Sequence, residues 1–426
     1  MTWRAYGEDV TGCGYLLGVR SVELFTGAGG LALGCEIAGF KPVRVVERDR
    51  WACDTIRENQ NQNYPLVADW DLRERDVRLV DWSDMTEDID LVVGGPPCQP
   101  FSMGGKARAA DDDRDMFPAT TEVIRQLKPR AFIVENVRGL TRTTFANYFQ
   151  YILLRLEHPQ LENRKGETWL DHLQRLQSEH TSVSSDELTY NIVPTLVNAA
   201  DYGVPQQRWR VFIVGFRSDV DAEWSFPGPS HSYDALLYSK WVSGDYWDRH
   251  KLGKRARGAV PLRMAQRVEQ LRERGQPVER PWRTVRDALA GLPEPTRSGS
   301  GKHLNHVLQP GARSYTGHTG SPIDLPAKAL KAGVHGVPGG ENMLLRPDGS
   351  VRYFTVREAA RLQTFPDRYE LHGAWSEAMR QLGNAVPVLL AQKVAASVGE
   401  RLAEAGVREE LARRKVAKAT KRQATA

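Results

Sequence analysis

One residue of this chain stands where a nucleophile would be needed. Cys98 lies in Gly94-Gly95-Pro96-Pro97-Cys98-Gln99-Pro100-Phe101-Ser102. The apolar run 89–93 before it reads as a buried strand, which two glycines and two prolines end abruptly. Ligands of open α/β sheets sit at that carboxyl edge, and a thiolate placed there attacks electrophilic carbon. A lone Pro-Cys pair more often marks a small buried hydrophobe in a turn, so the neighbouring motifs decide. Phe132-Ile133-Val134-Glu135-Asn136-Val137 puts a carboxylate at the end of another strand, a position suited to proton transfer. Gln206-Gln207-Arg208-Trp209-Arg210 puts two arginines just before a further strand. Gly27-Ala28-Gly29-Gly30-Leu31-Ala32 matches a glycine-rich nucleoside fingerprint, with Glu47 twenty residues beyond Gly27. An acid there accepts hydrogen bonds from a ribose diol. By itself the loop supports any nucleoside cofactor, NAD included, or a plain structural turn.

These residues need a frame to hold them. Strands over 22–25, 43–46, 89–93, 131–134, 191–197 and 210–216 alternate with helices over 31–38, 51–59 and 120–127. That rhythm predicts an α/β fold, a parallel sheet covered on both faces. A charged helical stretch follows residue 136 and runs to about 187. From Pro227 the rhythm breaks until about 351, which predicts an inserted second domain. The expected division is 1–226 and 351–405 for the first domain, 227–350 for the insert, and 406–426 for a basic, fraying tail.

At 426 residues the chain can bury a large core. It has no apolar run long enough to span a membrane and no apparent secretory signal, so the expected compartment is the cytosol. The cysteines, Cys13, Cys35, Cys53 and Cys98, show no C-x-x-C spacing, which argues against a zinc site or a disulfide framework. Net charge is +5, but residues 240–286 hold thirteen Lys/Arg against five Asp/Glu. Trp241, Tyr246, Trp247 and Trp282 are interleaved, a composition that fits either a solvated helix face or a groove for a polyanion.

Taken in order, these motifs resemble those of the DNA (cytosine-5)-methyltransferases of the bacterial restriction-modification type. The resemblance covers about residues 20–400 and rests on Phe25-Thr26-Gly27-Ala28-Gly29-Gly30, 94–102, Glu135-Asn136-Val137, 206–210, Arg357-Glu358-Ala359-Ala360-Arg361 and Gly383-Asn384. It implies a Rossmann-like methyltransferase domain with a smaller target-recognition insert. It implies S-adenosylmethionine as cofactor, double-stranded DNA as substrate, no metal, a monomer in the bacterial cytosol, and a cognate endonuclease acting on the same site. Under it Cys98 attacks C6 of a flipped cytosine, which makes C5 enamine-like. Glu135 shares a proton with N3, a role that apolar surroundings would favour by raising its pKa. Arg210, with Arg208 beside it, resembles the arginine that holds the cytosine O2.

The same resemblance places Phe25 on the adenine, Glu47 on the ribose, Asp76 and Val77 along the adenine, and Phe117 over it. Gly27, Gly29, Gly30 and Pro96 would cup the cofactor, with Asn384 and Val386 at its methionine end. A closing loop over 102–115 would bring Ser102, Lys106 and Arg108 onto DNA. Arg313, Tyr315 and His318 are the candidate base readers, from their position before 325–330. Ala329 stands where the family usually has threonine.

Three other readings compete. A transfer-RNA cytosine methyltransferase shares these motifs but usually carries a Cys-Phe-Thr element, and no cysteine follows Cys98. A catalytically silent DNA-binding relative would be expected to lose Cys98 or Glu135. An NAD enzyme has no use for the Pro-Cys and Glu-Asn-Val segments.

Overall fold

A computed structural model describes residues 18–97, 115–179, 188–299, 301–333 and 340–424. Cys98, Ser102, Lys106 and Arg108 lie outside the described residues. The described chain forms two units. One holds the chain up to Leu196, Arg210–Pro227 and everything from Ala391; the other holds Val197–Trp209 and Gly228–Leu390.

The first unit is built on a seven-stranded sheet. Its strands are β1 (Arg20–Leu24), β2 (Lys41–Glu47), β3 (Leu72–Glu74), β4 (Leu91–Gly94), β5 (Ala131–Val137), β6 (Tyr190–Asn198) and, after the two-residue β7 (Gln206–Gln207), β8 (Trp209–Arg217). The order is β3-β2-β1-β4-β5-β8-β6. Neighbours from β3 to β5 run parallel and β8 runs antiparallel to β5. The central strands are apolar on both faces because helices cover both. Leu91, Val92 and Val93 are all buried, as are Phe132, Ile133 and Val134. Helices α1 (Gly30–Ile37), α2 (Arg50–Asn61), α3 (Phe117–Leu127), α4 (Ala146–Glu157) and α5 (Trp169–Glu179) fall largely where the sequence predicts them. β3 was not predicted, since three residues with two charges carry no apolar period.

Two expectations are corrected. The closing helix does not stop at residue 405 but spans Val388–Ala424. Arg408 pairs with Asp221 at 2.9 Å, Glu409 with Arg130 at 3.1 Å, and Glu410 with Arg414 one turn on at 2.7 Å. The insert is also wider than 227–350. Gln206 Nε2 donates to Leu362 O and Gln363 Oε1 at 3.2 and 3.0 Å, and Leu330 N donates to Gln206 Oε1 at 2.9 Å. Those bonds join 197–209 and 351–390 to the insert in one unit. The rest of that unit is irregular, with α6 (Tyr233–Trp241), α7 (Asp245–Arg249) and α8 (Ala265–Arg274) packed around small aromatic and aliphatic cores.

The first unit also buries an acid with no ion-pair partner among the described residues. Glu23 on β1 is 2% exposed and accepts from Ser21 Oγ at 2.9 Å. Burial pushes its carboxyl from the ordinary 4.5 up to about 8. Across that interval the unfolded chain releases a proton that the folded chain keeps, so stability falls as pH rises from about 4.5 to about 8 and then levels off. Glu23→Gln is expected to flatten the curve and to raise stability at pH 8 by a few kcal/mol, on the order of 1.4 for each tenfold change in proton affinity. Thermal melts at a series of pH values check this, and parallel curves for the two proteins would refute it.

Candidate active site

The sheet gathers the chemistry at one edge through its register. Leu24 of β1 pairs with Gly94 of β4, and Gly94 pairs with Val134 of β5. β1 and β4 therefore end abreast, level with Val134 of β5, which runs on to Val137. The residues that follow Leu24, Gly94 and Val134 are Phe25, Gly95 and Glu135. Antiparallel β8 arrives at the same edge by its start, where Arg210 lies opposite Val137.

Glu135 and Arg210 meet there. Arg210 Nε lies 2.7 Å from Glu135 Oε1, with both side chains largely buried. The apolar surroundings expected for Glu135 are thus corrected, because a guanidinium stands against it. Burial pulls Arg210 below its usual range and Glu135 opposes that pull. Gly95 passes so near that a Cβ on it would sit 3.2 Å from Glu135 Oε2. Asn136 Nδ2 donates to Pro96 O at 3.2 Å, fixing the backbone two residues before Cys98. Sequence reasoning gave Asn136 and Gly95 no role, although both sit inside the motifs it used.

Arg208 does something different from Arg210. Its side chain is 1% exposed and donates to Leu330 O at 3.0 Å and to Gly383 O at 2.5 Å. Its charge is committed to two backbone carbonyls, so the catalytic role expected for it is corrected to that of a strut within the second unit. Gly383 packs so tightly that a Cβ there would lie 2.2 Å from Ala332 N. Asn384 beside it is exposed and Val386 is buried.

The glycine loop is shaped for close approach by a ligand. Phe25 has φ 53°, a left-handed conformation that side chains disfavour. Gly27 and Gly29 have φ 56° and 89°, and a Cβ on Gly27 would meet open space. Gly30 begins α1. Glu47, at the end of β2, accepts from Gly27 N through Oε2 at 2.7 Å and from Arg48 N and Asp49 N through Oε1 at 2.8 and 2.7 Å. A carboxylate offers about four acceptor sites. Three are filled, and the fourth, on Oε2, has no partner among the described residues. Burial raises the Glu47 carboxyl, and the three amides hold it down in part. Val77 and Phe117 belong to one apolar cluster, against which Phe25 packs. These residues fit a nucleoside bound across the strand ends.

Asp76 fits less well. It caps the turn Val77–Leu79 and accepts from Arg78 N at 3.0 Å and Arg78 Nη2 at 2.7 Å, which holds it down to about 2. Its oxygens are turned to arginine rather than left for adenine.

Loss of the Glu47 carboxylate is expected to act on cofactor binding. Glu47→Gln turns an amide N–H toward backbone donors and removes a charged acceptor, worth roughly 1.5–3 kcal/mol. The S-adenosylmethionine Kd is expected to rise about 10- to 100-fold by titration calorimetry. An unchanged Kd would sink the assignment.

Among the base-reading candidates, Tyr315 and His318 close a tight turn through Gly317, with His318 N donating to Tyr315 O at 2.8 Å and ring centroids 4.4 Å apart. Arg313 and Tyr315 are exposed, and His318 lies 3.5 Å from Glu341.

Comparison with known proteins bears on the whole chain. The family described as C-5 cytosine-specific DNA methylase matches residues 19–161 and 160–400. The Type II methyltransferase M.PspPI of Psychrobacter sp. (strain TA137) is 31% identical over 383 residues, 88% of this chain and 78% of that protein. The Type II methyltransferase M.NgoPII of Neisseria gonorrhoeae is 29% identical over 90% of this chain and 96% of its own length. The crystal structure of S. pombe Dnmt2 methyltransferase shares the fold at TM-score 0.52 and 17% identity, covering 90% of this chain and 98% of that one. With nucleoside loop, thiol segment, paired acid and arginine in family order, the chain belongs to the C-5 cytosine-specific DNA methylases, which move a methyl group from S-adenosylmethionine to C5 of cytosine in DNA.

Proposed function

We propose that this enzyme marks one cytosine within a short duplex sequence by covalent catalysis through Cys98. The observation that carries the reading is the buried Glu135–Arg210 pair at the strand edge where Gly95, Pro96 and Pro97 lead to Cys98. The target base is flipped out of the stack, at a cost of roughly a few kcal/mol. The Cys98 thiolate adds to C6 while N3 takes a proton from Glu135, so C5 becomes nucleophilic. Arg210 holds the O2 of the base in this reading. S-adenosylmethionine supplies an electrophilic methyl group on a sulfonium. Once C5 is methylated, a base removes its hydrogen and Cys98 leaves by elimination, restoring the thiolate.

The second unit reads the site, with Arg313, Tyr315 and His318 toward base edges. Its relatives' names as Type II methyltransferases support a protective mark set against a separate endonuclease. In this reading the chain works as a monomer in the bacterial cytosol. The deciding experiment expresses the chain in a host and maps methylated cytosines by bisulfite sequencing. One recurrent short motif supports the reading. Methyl transfer to transfer RNA in preference to duplex DNA would replace it.

A further inference from the structure

The second unit carries a basic loop that the chemistry above leaves unused. Between Arg249 and Arg267 the chain has seven Lys/Arg and no acid. Three of the seven are satisfied: Arg249 pairs with Asp287 at 2.9 Å, Arg257 with Asp248 at 2.5 Å and Arg267 with Asp234 at 2.5 Å. The other four, Lys251, Lys254, Arg255 and Arg263, are exposed and have no ion-pair partner among the described residues. Leu262, 94% exposed, stands beside Arg263.

The loop is built rather than slack. Leu252 packs against the cluster of Leu236, Tyr246 and Trp247, and Val260 and Met264 pack against Leu237, Val268 and Leu271. Trp241 Nε1 donates to Gly258 O at 3.2 Å, and Arg257 Nε donates to Leu252 O at 3.1 Å. Apolar residues thus turn inward at both ends of the segment while the four cations stay outside.

Lys251 adds an independent observation. Lys251 N donates to Asp248 O at 3.0 Å and Leu252 N to Trp247 O at 2.9 Å, the bond pattern of a glycine-terminated helix end. The residue in the glycine position is this lysine, at φ 54°. A side chain is disfavoured there, yet the position holds a cation.

We propose that Lys251, Lys254, Arg255 and Arg263 form a preformed seat for the phosphodiester backbone of duplex DNA, with Leu262 against the sugar edge. The seat supplies sequence-independent affinity, since cations on phosphate release counterions whatever the bases. This inference rests on the reading of duplex DNA as substrate.

The test measures binding of the full chain to a fluorescent duplex that contains the mapped site, across a salt series. Each phosphate contact contributes about 0.9 to the slope of log Kobs against log salt. Lys254→Gln with Arg255→Gln is expected to reduce the slope by up to about 2 and to weaken cognate and scrambled duplexes alike. S-adenosylmethionine affinity and transfer at saturating DNA and low salt are expected to stay unchanged. Lys251→Gly separates a binding role from a structural one. It is expected to hold or raise the melting temperature while lowering the slope by about 1.

Unchanged slopes in variants that still methylate duplex DNA would overturn the seat alone. Loss of affinity for the cognate duplex but not the scrambled one would overturn it in favour of base reading. A slope change seen on RNA and absent on DNA would also overturn it. Failure of the parent protein to methylate any duplex would instead refute the reading on which the seat rests.

Discussion

Cys98→Ser is expected to abolish methyl transfer while leaving S-adenosylmethionine binding intact. A serine hydroxyl is hardly ionised near neutral pH, and its alkoxide is harder and a poorer leaving group than a thiolate. Addition to C6 and the final elimination both suffer. The loss is expected at roughly 10⁴-fold or more, the scale on which removal of a nucleophile acts. Of the residues proposed to hold the cofactor, Phe25 and Gly27 lie in the loop after β1 and Glu47 at the end of β2, and Asn136 still holds Pro96 O. Nothing in that frame depends on sulfur. Single-turnover transfer and calorimetric cofactor binding on the same preparation separate the two effects. A duplex with 5-fluorocytosine at the target should trap the parent enzyme covalently, because fluorine cannot leave C5 as a proton. A trapped peptide carrying Cys35 or Cys53 would refute the assignment. Both are buried, and burial pushes both thiols up, Cys53 to about 12. Neither is set to ionise.

Glu135→Gln is expected to slow transfer by about 10² to 10⁴-fold, the usual scale for loss of a proton donor or acceptor. Glutamine keeps the shape and can still accept from Arg210, but it cannot exchange a proton with N3. Alanine is a worse choice, because an unpaired buried guanidinium costs about 3–5 kcal/mol of stability. The 2.7 Å pair makes a second outcome checkable. If acid and arginine act as a unit on one base, their losses will not add. The double variant Glu135→Gln with Arg210→Lys is then expected to fall little below the poorer single variant. Fully additive losses, with cofactor affinity unchanged throughout, would separate their roles.

The α/β rhythm was legible because both-faces burial demands continuous apolar strands, and β4 and the first four residues of β5 supply them. The glycine loop was legible because left-handed positions select glycine, as the φ values of Gly27 and Gly29 confirm. Glu47 was legible from its distance along the chain. β3 escaped because a three-residue strand has too few residues to show a period. The last helix outran its expected end because two of its residues find partners far off in sequence, Arg408 with Asp221 and Glu409 with Arg130.

Arginine shows most sharply where sequence stops. Arg208 and Arg210 lie two residues apart in one motif, and the family resemblance groups both with the chemistry. The fold separates them: Arg208 is used up on the carbonyls of Leu330 and Gly383, while Arg210 faces Glu135. Local sequence determined the strand ends, the turn glycines and the order of the chemical groups, since these follow from backbone preference and burial period. Partner choice for each buried charge was decided by the tertiary structure alone. A guanidinium removed from water takes whichever acceptors the packed chain brings within reach, and those come from positions up to 175 residues away.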